Sequence, residues 1–333
     1  MEKKPTIRDI ATMTGYSFKT VSRVINQEPN VKPATKAAIE KAIAETNYKP
    51  NMYARNLNGK KLFNILVSIR KARGQNTTQW FDMFMAQLIG SAQGRPYTII
   101  QEVIYDDSEL SQSMLEQSGG YIDVLVLFYV QDEDKRIEMA RRSGIPFVSF
   151  EKHPTVPLSV SNNNRKGMLD AAAFLFGRGV TRICLLLGGQ LAVNREREEA
   201  LKAAYRLHGI PEEGLEIVYG MNNFERIKQY AEERIREDRL PEVFFVSGDE
   251  KALAIYHAVY SSGRSIPGDV GVIGFDNIPS SAYYYPPLTT MGQNFGQLAA
   301  EMLTVVDHLV AGTDEPILSI EVDPELIIRQ SIQ

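Results

Sequence analysis

Residues 15–26, GYSFKTVSRVIN, place Val21, Val24 and Ile25 at i, i+3 and i+4, the spacing of a buried helical stripe. Phe18 and Ser22, Lys19 and Arg23, and Ser22 and Asn26 stand four apart and are expected to project together from the opposite side. Ser17 is placed to cap this helix. Before it, Thr14-Gly15-Tyr16 reads as a tight turn in which glycine accepts a positive φ at little cost. Upstream, TIRDIATM reads as another helix, with Thr6 as N-cap, Asp9 as a capping-box-like partner, and Ile7, Ile10 and Ala11 turned inward. A third helix is expected from Pro33 to about Thr46, apolar at Ala37, Ile39, Ala42 and Ile43. Helix, glycine turn, then a helix with a polar outer face is the helix-turn-helix pattern, whose second helix enters the DNA major groove. A solvated helix in a small bundle is the alternative.

The next stretch, NYKPNMYARNLNGKK, has one short apolar face, Tyr53, Ala54 and Leu57, between Pro50 and Gly59. A helix this short is marginal alone in water, so it is expected to form only when held by something else; a linker is the other reading. From Leu62 onward, short apolar runs alternate with helical patterns. Strands are expected at FNILVSI, YTIIQEV, DVLVLF, PFVSF, RICLLL, EVFFVSG and DVGVIGF. Helices are expected near 81–93, 108–117, 132–143, 165–178, 194–208, 223–237, 249–262 and 294–311. This alternation predicts an α/β fold with parallel sheets. There are too many units for one sheet, so two doubly wound lobes are expected. One spans about 62–160 with a return near 290, the other about 161–288 with the C-terminal strands. Ligands of such folds bind beyond the carboxyl ends of the strands, here in the cleft between the lobes. The division is then 1–49 head, 50–61 hinge and 62–333 core.

Charge sharpens this picture. Of 37 lysines and arginines, twelve lie in residues 1–61, against five of the 41 acids. The head therefore carries +7 and the remainder −11, within a total of −4. A basic head on an acidic body suits a phosphate-binding module joined to something else. No apolar run approaches the roughly 20 residues of a membrane span, and the opening MEKKPTIRDI lacks the apolar core of a secretory signal. The single cysteine, Cys184, sits in a buried-strand pattern and reads as an inert core thiol. Together these predict a cytoplasmic protein with no membrane partner.

Taken in order, TIRDIATMTGYSFKTVSRVIN, NYKPNMYARNL, VSGDEKAL, VIGFDN and PPLTTMGQNF resemble the lactose-repressor/galactose-repressor (LacI/GalR) family of bacterial transcription regulators, over essentially the whole chain. The resemblance implies a helix-turn-helix head, a hinge helix and two lobes similar to periplasmic sugar-binding proteins. It implies a homodimer on palindromic double-stranded operator DNA, acting as a repressor and controlled by a sugar-like effector. Phe18 and Lys19 would be the principal base readers, with Arg23 deeper in the half-site; Lys19 can donate to guanine O6 and N7. Thr6, Ser17, Thr20, Ser22 and Asn26 would mostly hold phosphates. In the hinge, Leu57 matches the residue that wedges the minor groove, with Ala54 beside it and Asn51 also on the DNA side. Arg197 matches the effector-gripping arginine and Asp276 the acid that accepts sugar hydroxyls; Glu151, Asp249 and Gln293 fall at or beside other cleft positions. Arg forks and carboxylates suit a polyol. Trp80 could stack on a sugar ring or simply pack. Gly248 stands where the family often has asparagine, and Val180 where histidine is common. The basic residues Arg70, Lys71 and Arg73 leave two readings open: a solvated loop, or a preference for an acidic or phosphorylated sugar.

Two rival classes remain to be weighed. Asp249, Glu250 and Asp276 could be drafted as glycosidase acids. However, His153, His208, His257 and His308 form no triad or metal spacing with them, and LGGQ lacks both the P-loop lysine and the dinucleotide glycines. No catalysis, cofactor or metal is therefore expected. A secreted sugar-binding protein would explain the core but not the basic head.

Overall fold

The computed structural model describes residues 7–25, 31–46, 62–73, 79–117, 121–312 and 319–333. Thr6, Asn26, Asn51, Ala54, Leu57 and the whole expected hinge lie outside the described residues. The chain divides into two compact units, Met1–Leu62 and Phe63–Gln333.

The first unit holds α1 (Ile7–Thr14), α2 (Phe18–Ile25) and α3 (Pro33–Thr46). Ile10, Val21, Val24, Ile39 and Ala42 are buried together, with Tyr16 and Val31 packed against them. Gly15 takes φ +70° in the turn, and the Thr14 hydroxyl donates to the Ile10 carbonyl at 2.8 Å. Ser17 caps α2: its Oγ accepts from the Thr20 N–H at 3.2 Å.

The second unit is built on two six-stranded sheets. The first contains β1 (Phe63–Arg70), β2 (Tyr97–Ile104), β3 (Val124–Phe128), β4 (Phe147–Phe150), β5 (Ser159–Asn162) and β11 (Ile320–Val322), in the order β11-β5-β4-β3-β1-β2, all parallel. Ile65, Val67, Phe128 and Phe150 pack under α4 (Gln79–Ser91) and α11 (Phe295–Ala311). On the other face Leu66, Leu125 and Leu127 meet α5 (Met114–Gln117) and α6 (Lys135–Arg142). Covering on both faces is why these strands read as unbroken apolar runs rather than alternating ones.

The second sheet contains β6 (Ile183–Leu186), β7 (Leu215–Val218), β8 (Val243–Val246), β9 (Gly271–Asp276), β10 (Thr289–Gly292) and β12 (Glu325–Ile327), ordered β12-β10-β9-β8-β6-β7. All its pairings are parallel except β12 with β10. Helices α7 (Asn164–Phe176) and α8 (Ala192–Leu207) cover one face, α9 (Phe224–Arg236) and α10 (Asp249–Ser261) the other. In each sheet the order reverses beside the first strand, between β1 and β3 and between β6 and β8, and those are the switch points at which such folds open a crevice.

Two expectations need correction. The C-terminal strands do not both join the second lobe: β11 pairs with β5 in the first sheet and only β12 adds to the second. The first sheet also extends past 160, because β5 runs to Asn162. The return near 290 is helical: α11 packs on the first sheet. Cys184 is buried, and burial pushes its thiol up to about 12.

Candidate functional site

In the first unit, α2 presents Phe18, 49% exposed, with Lys19 and Arg23 beside it on the surface. Ser17 is exposed and Thr20 half-buried, their hydroxyls 2.9 Å apart. Ser22 departs from expectation. It is buried at 8% exposure, not on the outer face with Lys19 and Arg23. At roughly 100° per residue it stands one step round from Val21, at the border of the buried stripe.

In the second unit, a cavity of about 190 Å³ opens between the two sheets. Its wall is made where strands end. Arg70 closes β1, Tyr129 follows β3, Glu151 follows β4, Ser247 follows β8, Asp276 closes β9 and Gln293 follows β10. Helices add Trp80 from the first turn of α4, Asn194 and Arg197 from α8, and Glu250 and Lys251 from α10.

One hydrogen-bonded chain runs through this wall. Arg197 Nε donates to Asn164 Oδ1 at 2.8 Å. Asn164 Nδ2 donates to Glu151 Oε2 at 2.7 Å. Asn162 Nδ2 donates to Glu151 Oε1 at 3.0 Å and to Gln293 Oε1 at 2.6 Å. Gln293 Nε2 donates to Asp276 Oδ1. Arg197 is further fixed by Nη1 donating to Ser247 Oγ at 2.8 Å and by lying 3.8 Å above the Phe275 ring. The chain ties residues of both sheets and leaves Asp276 Oδ2 buried without a partner among the described residues, as is Glu250 Oε2 on the same wall. Buried unpaired acceptors at a cavity wall are what a ligand with hydroxyl donors would satisfy.

The electrostatics follow from depth. Burial pushes the Asp276 carboxyl well above the usual range, and the Glu250 and Asp249 charges add to it, against Arg197. Burial likewise raises Glu151, opposed by Arg197 and the two asparagine amides. It lowers Arg197, opposed by Glu151 and Asp276, and lowers Lys251, opposed by Glu250. Glu151 and Asp276 hold positive φ, 70° and 123°, so the backbone itself is turned to aim these side chains.

Five of the six expected cleft residues, Trp80, Glu151, Arg197, Asp276 and Gln293, line the cavity; Asp249 does not. Its Oδ1 accepts from Thr290 Oγ1 and its Oδ2 from the Ile278 N–H at 3.0 Å, under β9. A Cβ on Gly274 would fall 2.1 Å from Asp249 Oδ1, so that glycine makes room for it. The physical reason is position: Asp249 opens α10 against the sheet, and the next residue, Glu250, carries the carboxylate to the wall. Trp80 both lines the cavity and packs, its ring stacked on Phe150 at 5.4 Å and 22°. Of the basic loop, Arg70 and Lys71 reach the wall, while Arg73 is exposed and pairs with Asp106 and Glu109. Gln131, Asn194, Asn222, Ser247 and Lys251 also line the cavity without having been singled out. The signal that could have found Ser247 is its place directly after a buried apolar run, the strand-end rule applied residue by residue.

Two family profiles match the chain. Residues 6–51 match bacterial regulatory proteins of the lacI family, and residues 172–332 match the periplasmic binding protein-like domain. The chain carries a lacI-family regulatory domain at residues 6–51. Among its relatives are catabolite control protein A of Priestia megaterium, 28% identical over 90% of this chain and 91% of that protein. The HTH-type transcriptional repressor PurR of Photobacterium profundum is 28% identical over 98% of both. The HTH-type transcriptional regulator CelR of Thermobifida fusca is 27% identical over 99% and 98%. The fold of this chain matches that of the lac repressor dimer solved with operator and the anti-inducer ONPF, at a TM-score of 0.83 with 23% identity over 99% of both chains. It also matches the CelR–cellobiose complex, at 0.72 with 23% identity over 98% and 99%.

Proposed function

We propose that this protein is a sequence-specific transcriptional regulator of the lacI family, acting as a repressor, whose affinity for operator DNA is set by a small sugar-like effector in the cavity between the two sheets. The observation that supports the effector half is the Arg197–Asn164–Glu151–Asn162–Gln293–Asp276 chain, which with Glu250 sets a fixed arginine and two unpaired carboxylate oxygens, Asp276 Oδ2 and Glu250 Oε2, around one small space. The DNA half rests on an exposed Phe18, Lys19 and Arg23 on a capped second helix, and on relatives that are repressors and regulators.

On this reading Lys19 and Phe18 touch base edges, and Ser17 and Thr20 hold phosphates. Leu57 and Ala54 act at the minor groove as the family resemblance implies. The protein works in the cytoplasm as a homodimer, because one recognition helix per chain needs a second for a palindromic site. The chain is read as non-catalytic. Of the three acids a glycosidase could draw on, Asp249 is committed to Thr290 and Ile278 while Glu250 and Asp276 stay on the cavity wall, so this reading rests on the relatives, which are transcriptional repressors and regulators.

The test is selection of bound sequences from random duplex DNA with the full chain, followed by titration of the selected site. A palindrome bound at least about a thousandfold tighter than random DNA is the expected outcome. Recovery of no preferred sequence would remove the regulator reading.

A further inference from the structure

The cavity wall contributed by the first sheet is cationic in a way that the neutral-sugar chemistry of the second sheet does not use. Arg70 closes β1 and is 8% exposed. Its Nη2 donates to Asp107 Oδ1 at 2.6 Å, and Asp107 is also paired with Lys135 at 2.9 Å. That carboxylate is thus shared between two cations and does not fully satisfy the guanidinium. Arg70 Nε and Nη1 are buried and have no partner among the described residues. Next to it Lys71 lines the same wall, half-buried, with no carboxylate within ion-pair distance among the described residues. Counting the ionisable groups of the wall, Arg70, Lys71, Arg197 and Lys251 face Glu151, Glu250 and Asp276, one cation in excess. Across the cavity, Asp276 Oδ2 and Glu250 Oε2 are the unpaired acceptors.

A single occupant that satisfies both walls needs hydrogen donors at one end and an anion at the other. Arg70 Nε and Nη1 lie on different edges of the guanidinium, so each offers a single N–H, and a charge-assisted bond from either to a carboxylate or phosphate, with Lys71 as a second cation, is stronger than one to a neutral hydroxyl. The volume of about 190 Å³ lies below the roughly 300–1,000 Å³ of sites for drug-sized ligands, which limits the occupant to about one sugar ring. We propose that the effector is an acidic monosaccharide, and that Arg70 with Lys71 holds its anionic group while Asp276 and Glu250 take its hydroxyls. Arg70 and Lys71 are then the residues that select an acidic sugar over its neutral parent. This rests on the reading of the cavity as the effector site.

The experiment is calorimetric titration of the full chain with matched sets: a hexose, its uronate and its 6-phosphate, for several hexoses. In at least one set an acidic member binds at least tenfold tighter than the neutral hexose; uronate or phosphate ester as the winner tells carboxylate from phosphate. Arg70→Gln reduces that preference to threefold or less. Arg73→Gln, which alters a neighbouring cation paired outside the cavity with Asp106 and Glu109, keeps it. If Arg70→Gln fails to melt cooperatively, Lys71→Gln is measured in its place, with at least a threefold loss of preference expected. A neutral hexose binding as tightly as its acidic partners, or a preference untouched by these variants, overturns the proposal and leaves the effector cavity standing. Failure of every sugar, acidic or neutral, to bind a chain that still binds its selected DNA overturns both.

Discussion

Among single residues, DNA reading and effector binding rest on different side chains. Lys19 is exposed at the start of α2, and Lys19→Ala should cost about 1–3 kcal/mol on the selected operator while relaxing preference at one base pair per half-site. Equal weakening on random DNA would instead make it a phosphate contact. Arg197 is held from three sides, by Asn164, Ser247 and the Phe275 ring, so its position costs little to maintain when a ligand arrives. Arg197→Ala should weaken effector binding by roughly 1.5–3 kcal/mol, measured by calorimetry, with operator binding by the unliganded protein preserved. Asp249 supplies a pH test. Burial, with the Glu250 charge adding to it, pushes its carboxyl from 3.8 up to about 6. A carboxyl that binds its proton more tightly when folded contributes stability that is complete below about 4 and is lost as pH rises through about 6. Asp249→Asn can donate to Thr290 and accept from the Ile278 N–H, so the fall in melting temperature of the core between pH 4 and 7 should flatten. Glu151, Glu250 and Asp276, raised in the same sense, leave a residual slope.

At the scale of elements, the turn between β8 and α10 is the most constrained part of the cavity rim. Gly248 lies there at φ +127°, a conformation in which any side chain is strained, and a Cβ at that position would come within 3.5 Å of the Glu250 carboxylate. Gly248→Asn should therefore destabilise the core by about 1–3 kcal/mol, read from denaturant unfolding. No change would mean that the turn relaxes freely. The same scale shows what the chain made legible. The helices of the core announce themselves because each buries a broad apolar face, and the expected spans agree with α6 to α11 to within a few residues. The long strands do so because both faces are covered. Strands β5, β7 and β10 were missed. SVSN and TTMG are four residues long and rich in Ser, Thr and Asn, so neither length nor hydropathy distinguishes them from loops, while LEIV is apolar but equally short and lies at the sheet edge. Their order comes from neighbours in the sheet, a tertiary effect that local propensity does not carry. The cavity was legible in Arg197 and Asp276 through the family resemblance. The asparagines that connect them were not, because Asn162 and Asn164 meet Glu151 only once β4, β5 and α7 are brought together.

In the whole molecule, regulation by an effector needs cavity and operator site to be energetically linked. A homodimer presenting two α2 helices needs a palindrome, and sedimentation of the protein at operator-saturating concentration should show two chains per duplex. Because effector and operator act on one equilibrium, each must change the affinity of the other by the same factor. The most direct test is a closed cycle on the full chain. Operator affinity is measured by fluorescence anisotropy with and without saturating effector, and effector affinity by calorimetry with and without saturating operator. Equal factors in the two directions, of about 5–150-fold, are the expected outcome. An effector that binds in the cavity, is lost in Arg197→Ala and yet leaves operator affinity unchanged would contradict it.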